Sequence, residues 1–334
     1  MPSLILVIFI SFVALIFDFV NGMNDAANSI ATVVSTRVLS PKFAVAWAAL
    51  FNFLAAFFFG VHVAATIGKG IIDPSCVTQM VILSGLLGAI IWAYACTHLG
   101  LPISVSHSLI GGFIGAAVIK GGTGVLIIPG IVKTMIFIFL APILGFFIGI
   151  LFMNIVFILF KKASPSRVDG WFRRLQLLSA AAYSLSHGSN DAQKTMGIIA
   201  VLLFTSGYLG PTFYIPIWLI LACHTAIALG TLAGGWEVVN TMGARITKLK
   251  PVTGFCAETA GAFTIFGASF AGIPVSTTHT ITGSIMGVGA TKRTSSVRWG
   301  IAKEILWAWI LTIPASALFS TVFYIIIKAI FKVA

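Results

Sequence analysis

Charge is what this sequence has least of. Only 8% of its 334 residues are Asp, Glu, Lys or Arg, and just eight are acidic, whereas a soluble domain carries about 25% charged residues. So few charges cannot cover the surface of a soluble chain, which excludes a cytosolic enzyme and a disordered protein. Cysteine is scarce as well. Cys76, Cys96, Cys223 and Cys256 form no C-x-x-C pair and read as small packing residues. The chain has no G-x-x-x-x-G-K-[ST] loop, no H-E-x-x-H or zinc spacing and no G-x-S-x-G elbow, which argues against enzyme chemistry of those kinds. Ser106 beside His107 is no catalytic pair by adjacency alone. Met1 to Phe17 lacks a basic n-region, so it is read as a first membrane helix and not as a signal peptide.

What is abundant is apolar sequence: 59% hydrophobic residues, with 33 glycines besides, and a mean hydropathy of +1.07. The bilayer is the solvent that fits. A spanning helix needs roughly 20 apolar residues, so ten to twelve would use about 200 to 240. The expected fold is therefore all-α and polytopic, with short loops and no separate soluble domain. The net charge of +12 would suggest nucleic acid on a soluble protein. Here the basic residues sit between apolar stretches, as in cytoplasmic loops of a multi-pass protein, and nucleic acid is not an expected partner. The segments at 125–160, with Pro129, Gly130 and Pro142, and around Gly22 and Gly188 are expected to bend or break.

The chain repeats itself. Asn24-Asp25-Ala26 recurs as Asn190-Asp191-Ala192, each with a glycine two residues upstream, and GLPISVSHSLIGG from Gly100 recurs as GIPVSTTHTITGS from Gly272. The first offset is 166 and the second 172. Two motifs in the same order at nearly one spacing predict two homologous halves, 1–160 and 176–334, joined by a basic cytoplasmic linker at 161–175. An odd number of crossings in each half would make the repeats inverted.

Asp25 and Asp191 are acids in apolar surroundings, where an acid costs about 2.5–3.5 kcal/mol and usually serves an ion pathway. Asn21, Asn24, Asn28 and Ser29 surround the first; Ser186, Ser189, Asn190 and Gln193 surround the second. Carboxylate, amide and hydroxyl oxygens suit a hard cation. Asn and Asp also cap helices well, but duplication in both halves favours the ion reading. The Pro-x-Ser-x-(Ser/Thr)-His pieces, Pro102 to His107 and Pro274 to His279, look like half-helices starting inside the membrane. Their free N–H groups and dipoles form an anion site without buried Lys or Arg, and Ser104, Ser106, Ser276, Thr277 and Thr278 add hydroxyls. His107 and His279 either titrate or pack. His62, His98 and His224 show no partner pattern. His187 stands at the position of Asn21, Lys194 lies three residues past Asp191 where Asn28 is its counterpart, and Glu258 is a further buried acid. Asp18 either lines the same cavity or marks a helix end.

NGMNDAANSIATVVSTRVLSP from Asn21 and SLSHGSNDAQKTMGIIA from Ser184 resemble the PiT family of inorganic phosphate transporters. So do LGLPISVSH from Leu99, AGIPVSTTHTITGSIMGVG from Ala271, IGKGIIDP from Ile67 and ITKLKPVTGFCAET from Ile246. The resemblance covers essentially the whole chain. It implies a secondary carrier with inverted repeats and re-entrant hairpins, moving phosphate with a cation. Asp25, Asp191, Ser104 and Ser276 match positions that the family uses for transport, and Glu258 matches the family's second-half acid. The first-half acid of some members is missing, with Asn52, Phe57 and Phe58 in that region. The expected phosphate ligands are Ser104, Ser106, Ser276, Thr277, Thr278, Asn24, Asn190 and Gln193. The expected cation ligands are Asp25, Asn28, Asp191, Glu258 and Asn21, with Na⁺ at Asp25 and Asp191. Na⁺ is preferred over H⁺ because a proton needs only the acid whereas a metal ion needs the oxygen shell. A proton, a metal–phosphate complex or another oxyanion such as sulfate is the alternative, and a channel would instead keep a continuous pore. No organic cofactor is expected. The expected partners are phosphate, Na⁺ and bilayer lipid in the plasma membrane, with a homodimer as an open assembly.

Overall fold

A computed structural model describes residues 3–331 apart from 59, 62, 65–71, 74, 75 and 274. His62, Pro274 and most of the IGKGIIDP stretch thus lie outside the described residues. The described part is nearly all helix, with one isolated antiparallel bridge between Ile72 and Leu126. In chain order the helices are α1 (Leu4–Ser35), α2 (Pro41–Leu54), α3 (Gln79–His98), α4 (Val105–Gly121), α5 (Ile128–Phe160), α6 (Pro165–Thr205), α7 (Ile217–Ala233), α8 (Trp236–Asn240), α9 (Pro251–Phe270), α10 (Thr277–Ala290) and α11 (Trp299–Phe331).

Proline and serine set many of the starts. Ser40-Pro41, Ser164-Pro165 and Lys250-Pro251 each place proline in the first helical turn, where its missing N–H costs nothing. Pro129 does the same for α5. Four helices (α1, α3, α5 and α11) are long and apolar enough to cross a membrane among the described residues, and α7 with the helical segment Trp236–Arg245, bent by 68°, makes a fifth if counted as one span. The chain is accordingly a multi-pass membrane protein. Fewer helices pass that test than composition had room for. α2, α4 and α10 are short, and α6 carries charge in its first turns and a polar buried face. The outward faces of α1, α5 and α11 are apolar, with Ile5, Phe147 and Leu318 well exposed, as a lipid-facing surface requires.

The structure shows continuous helix at three places where a break or a linker is expected. The Asn-Asp motifs lie at neither breaks nor caps: α1 runs unbroken through Asn24-Asp25 and α6 through Asn190-Asp191. Gly22 and Gly188 serve close packing instead. A Cβ on Gly22 would stand 2.1 Å from the Ile227 carbonyl oxygen on α7, and one on Gly188 would stand 2.6 Å from that of Asn52 on α2. The basic linker is helical from Pro165 onward, so Arg167, Arg173 and Arg174 ride on the first turns of α6. The 125–160 segment forms one helix from Ile128, with Pro142 inside it. Pro142 has no N–H for the Ile138 carbonyl, and the His279 ring takes up that carbonyl through Nδ1 at 3.3 Å.

The packing is paired. α3 ends at Gly100 (φ 69°) and α9 at Gly272 (φ 64°). In each case the next N–H closes a 6→1 bond, Leu101 to Cys96 O and Ile273 to Ala268 O, both 2.9 Å. These left-handed glycine caps turn the chain into α4 and α10. The short helix α4 packs on α11, and α10 packs on α5. Gly111 meets the Ile313 carbonyl and Gly283 the Pro142 carbonyl so closely that a Cβ would lie 2.3 and 2.1 Å away.

Candidate functional site

The site lies where α1 and α6 cross at the centre of the bundle. The two helices run antiparallel. Arg173 donates to the Arg37 carbonyl at one end, Thr36 donates to Gln176 Oε1 at 2.9 Å, and Asp25 lies beside His187 further along. The same motif thus approaches the centre from opposite directions on the two helices.

Asp25, His187 and Asp191 meet there, with one potential ligand atom from each within 4.8 Å of the others. His187 Nε2 is 3.3 Å from Asp191 Oδ2 and 3.6 Å from Asp25 Oδ2. Its Nδ1 lies 3.1 Å from Asn52 Oδ1, which orients the ring toward the acids. Thr277 and Thr278, at the start of α10, close the cluster. Thr278 donates to Asp25 Oδ1 at 3.0 Å, and the Thr277 hydroxyl lies 3.3 Å from Asp25 Oδ2 and 3.1 Å from Asp191 Oδ2. Asn28 Nδ2 donates to Thr278 at 3.0 Å. Lys194 pairs with Asp191 Oδ1 and also bonds Ser106 Oγ and the Val275 carbonyl. All of these side chains are buried, save Ser106, which is partly so.

Ser104 and Ser276 cap their own half-helices, accepting from the N–H of His107 and His279 at 3.3 and 3.2 Å. The two half-helices converge: the His107 and His279 rings are 4.9 Å apart, and His279 stacks on Trp309 at 3.7 Å. Asn24 donates to Thr97 at 2.8 Å and Asn190 to Ser269 at 2.9 Å, at the ends of α3 and α9. Asn21, Asn24, Asn28 and Asn190 each retain a buried Oδ1 with no hydrogen-bond partner, as do both carboxylate oxygens of Asp18. Gln193 is fully engaged with backbone, accepting from Val63 and donating to Gly60 and Ser189. Glu258 stands apart from the acid cluster, held by Ser179 and by Gln176 Nε2 at 3.0 Å; no Lys or Arg pairs with it among the described residues.

Sequence reasoning missed Asn52, which links His187, His224 and Thr231. It missed Ser179 and Gln176 around Glu258, and Tyr183, whose hydroxyl donates to the Thr277 carbonyl at 3.1 Å. It also missed partners that the repeat itself marks: Thr97 with Ser269 and Pro142 with Pro314 stand at the same offset as the hairpins.

A buried crossing of two like motifs, rich in acids and amide oxygens and closed by two converging helix starts, defines a membrane carrier for small ions. Comparison with known proteins then gives the family. The model of the phosphate transporter family matches residues 21–166 and again 160–320, and the chain belongs to that family. It is 58% identical over 312 residues to a probable low-affinity inorganic phosphate transporter of Rhizobium meliloti (strain 1021), covering 93% of each chain. It is 44% identical over 330 residues to one of Bacillus subtilis (strain 168), covering 98% of this chain and 99% of the other. Among solved structures it superposes on one described as the sodium-dependent phosphate transporter with a TM-score of 0.90, at 26% identity, over 98% of this chain and all of that one. Its fold and relatives are those of a phosphate transporter and not of an enzyme.

Proposed function

We propose that this phosphate transporter is a secondary symporter coupled to Na⁺, acting in the plasma membrane. The observation that carries the coupling ion is the chemistry of the unpaired atoms. The polar atoms without partners along α1 are mainly acceptors: amide Oδ1 of Asn21, Asn24 and Asn28, together with both oxygens of Asp18. Acceptors without donors attract a hard cation, and Asp25, Asp191 and His187 supply charge and further ligands beside them. Phosphate carries between one and two negative charges at neutral pH, and moving it through hydrocarbon needs compensating cations. The described likeness to a sodium-dependent transporter agrees with this reading.

The phosphate site we propose is the convergence of α4 and α10. The proposed donors are the backbone N–H groups there and the hydroxyls of Ser104, Ser106, Ser276, Thr277 and Thr278, the last two exchanging their bonds to Asp25 and Asp191 for the anion. The amides of Asn24, Asn190 and Gln193 are further ligands once they leave their present partners. Asp25, Asn28, Asn21, Asp191 and Glu258 are the cation side. The chain is read as two inverted repeats, 1–160 and 176–334; the antiparallel α1 and α6 and the exchanged packing of α4 on α11 and α10 on α5 support it. A proton is the second candidate, favoured by His187 between two carboxylates. Labelled phosphate uptake into proteoliposomes, with Na⁺ and pH gradients imposed separately, decides. Uptake is expected to rise with an inward Na⁺ gradient at fixed pH. Equal uptake in choline buffer under a pH gradient alone would reject sodium and leave phosphate transport standing.

A further inference from the structure

The two halves of the site differ at several positions, His187 for Asn21 among them, and one difference places a fixed ammonium against an acid: Lys194 for Asn28. In the first half Asp25 shares Thr278 with Asn28: Thr278 donates to Asp25 Oδ1 at 3.0 Å, and Asn28 Nδ2 donates to Thr278 at 3.0 Å. Advancing the helix positions by 166 and taking the hairpin position back by 172 gives the second-half trio, Asp191, Lys194 and Ser106. The structure brings that trio together in the same way. Lys194 bonds both Asp191 Oδ1 and Ser106 Oγ, so a lysine stands where the first half has an asparagine.

The surroundings of Lys194 are those of a bound cation. Its Nζ contacts a carboxylate oxygen, a hydroxyl oxygen from one half-helix and, at 3.1 Å, the Val275 carbonyl just before the other. Such oxygens would also suit Na⁺. An ammonium has three donor hydrogens and no acceptor, and three oxygens face it, so none is left for an anion in this arrangement. Asn28 is neutral and leaves its buried Oδ1 without a partner, so its half offers an acid and an open amide oxygen.

We propose that Lys194 is a tethered cation filling one of two pseudo-equivalent cation positions, so that this chain binds one fewer exchangeable cation per phosphate than a carrier with asparagine in both halves. The inference rests on the cation-coupled reading above. It turns the sequence difference between Asn28 and Lys194 into a difference in stoichiometry: the second half carries its own positive charge through every cycle, while the first must take one from solution.

The test is equilibrium binding of ²²Na⁺ to the full chain in lipid nanodiscs, without phosphate. Wild type, Lys194→Asn, Lys194→Gln and Lys194→Arg are compared, each scored only when it elutes as a folded species. The Asn and Gln variants are expected to bind one more Na⁺ per chain than wild type, and the Arg variant no more than wild type. In proteoliposomes the Na⁺ dependence of phosphate uptake should steepen by one ion in Lys194→Asn. An unchanged Na⁺ count in both neutral variants overturns the proposal. So does a loss of phosphate binding without a gain of Na⁺, which would make Lys194 an anion ligand. A wild type that binds no Na⁺ defeats sodium coupling instead, and a Na⁺ gained by the neutral variants would then still uphold the tethered cation. The two failures are therefore separable.

Discussion

At the scale of single residues, the site is decided by which buried charges have partners. Asp191 has Lys194 and His187, and Asp25 has His187 and two threonine hydroxyls. Asp25→Asn and Asp191→Asn are each expected to abolish gradient-driven uptake at normal membrane abundance, the first because it removes the negative charge facing the exchangeable cation, the second because it removes the counter-ion of Lys194. Full uptake by either variant would reduce that aspartate to a structural role. Asp191→Asn should also lower stability, since it leaves the Lys194 ammonium buried without its counter-ion, a loss of about 3–5 kcal/mol for a broken buried pair. Asp18 is the opposite case. It is completely buried and has no ion-pair partner among the described residues. Removing an unpaired buried carboxyl relieves a desolvation cost, so Asp18→Asn should melt no lower than wild type in sodium-free detergent solution. A clear drop in its melting temperature there would mean that the carboxyl has a stabilising partner of its own. Ser104→Ala and Ser276→Ala remove caps as well as hydroxyls. Each should weaken phosphate binding by about 1–3 kcal/mol, the range for a hydrogen bond to a charged group and its loss. Calorimetry giving wild-type affinity for both would place the anion elsewhere.

At the scale of elements, the helices are held by glycines whose missing Cβ lets backbones touch. α1 and α7 interlock reciprocally: Gly22 meets the Ile227 carbonyl and Gly230 the Phe19 carbonyl, where a Cβ would stand 2.1 and 2.0 Å away. Backbone cannot swing aside as a side chain can, so Gly22→Ala must separate the helices. The expected loss is about 1–3 kcal/mol, as for overpacking, seen as a lower melting temperature and reduced membrane yield. An unchanged melting curve would show that α1 and α7 do not need this contact. The same contacts explain what the sequence made legible. The paired motifs and their offsets pointed to Asp25, Asp191 and the starts of α4 and α10, because repetition needs no three-dimensional information. Whether a glycine bends a helix or lets a neighbour approach depends on what lies across from it, and a local window holds no such information; Gly22 and Gly188 look like bends in sequence for that reason. Asn52 was hidden likewise: it is one amide in the apolar run PKFAVAWAALFNFL, and its place beside His187 exists only after α2 packs on α6.

At the scale of the whole molecule, charge is distributed by end. Arg173 reaches the Arg37 carbonyl, so the end of α1 and the start of α6 share one side. Arg298 N–H bonds the Ile246 carbonyl, joining the start of α11 to the loop that holds Lys248 and Lys250. Burial, with Lys250 nearby, pushes Lys292 below the ordinary lysine range, as expected where like charges crowd. The opposite side is marked by Gln79 at the start of α3, which bonds Ser206 just past α6, and by the uncharged loop 207–216. Positive residues are retained on the cytoplasmic side during insertion, so the Lys248 and Ser295 loops should face the cytoplasm and Tyr208 the exterior. The consequence for transport is directional: α10 runs from the central acids toward the basic end, whereas α4 runs from them toward the other, so each half-helix borders a different route to the same site. Single cysteines at Ser295 and at Tyr208, in a chain whose four native cysteines are replaced by alanine, test the orientation. In intact cells a membrane-impermeant maleimide should label the cysteine at 208 and spare that at 295, and in inside-out vesicles the pattern should reverse. Labelling at 295 in intact cells would place the basic end outside and overturn the assignment, leaving the geometry of the site unaffected.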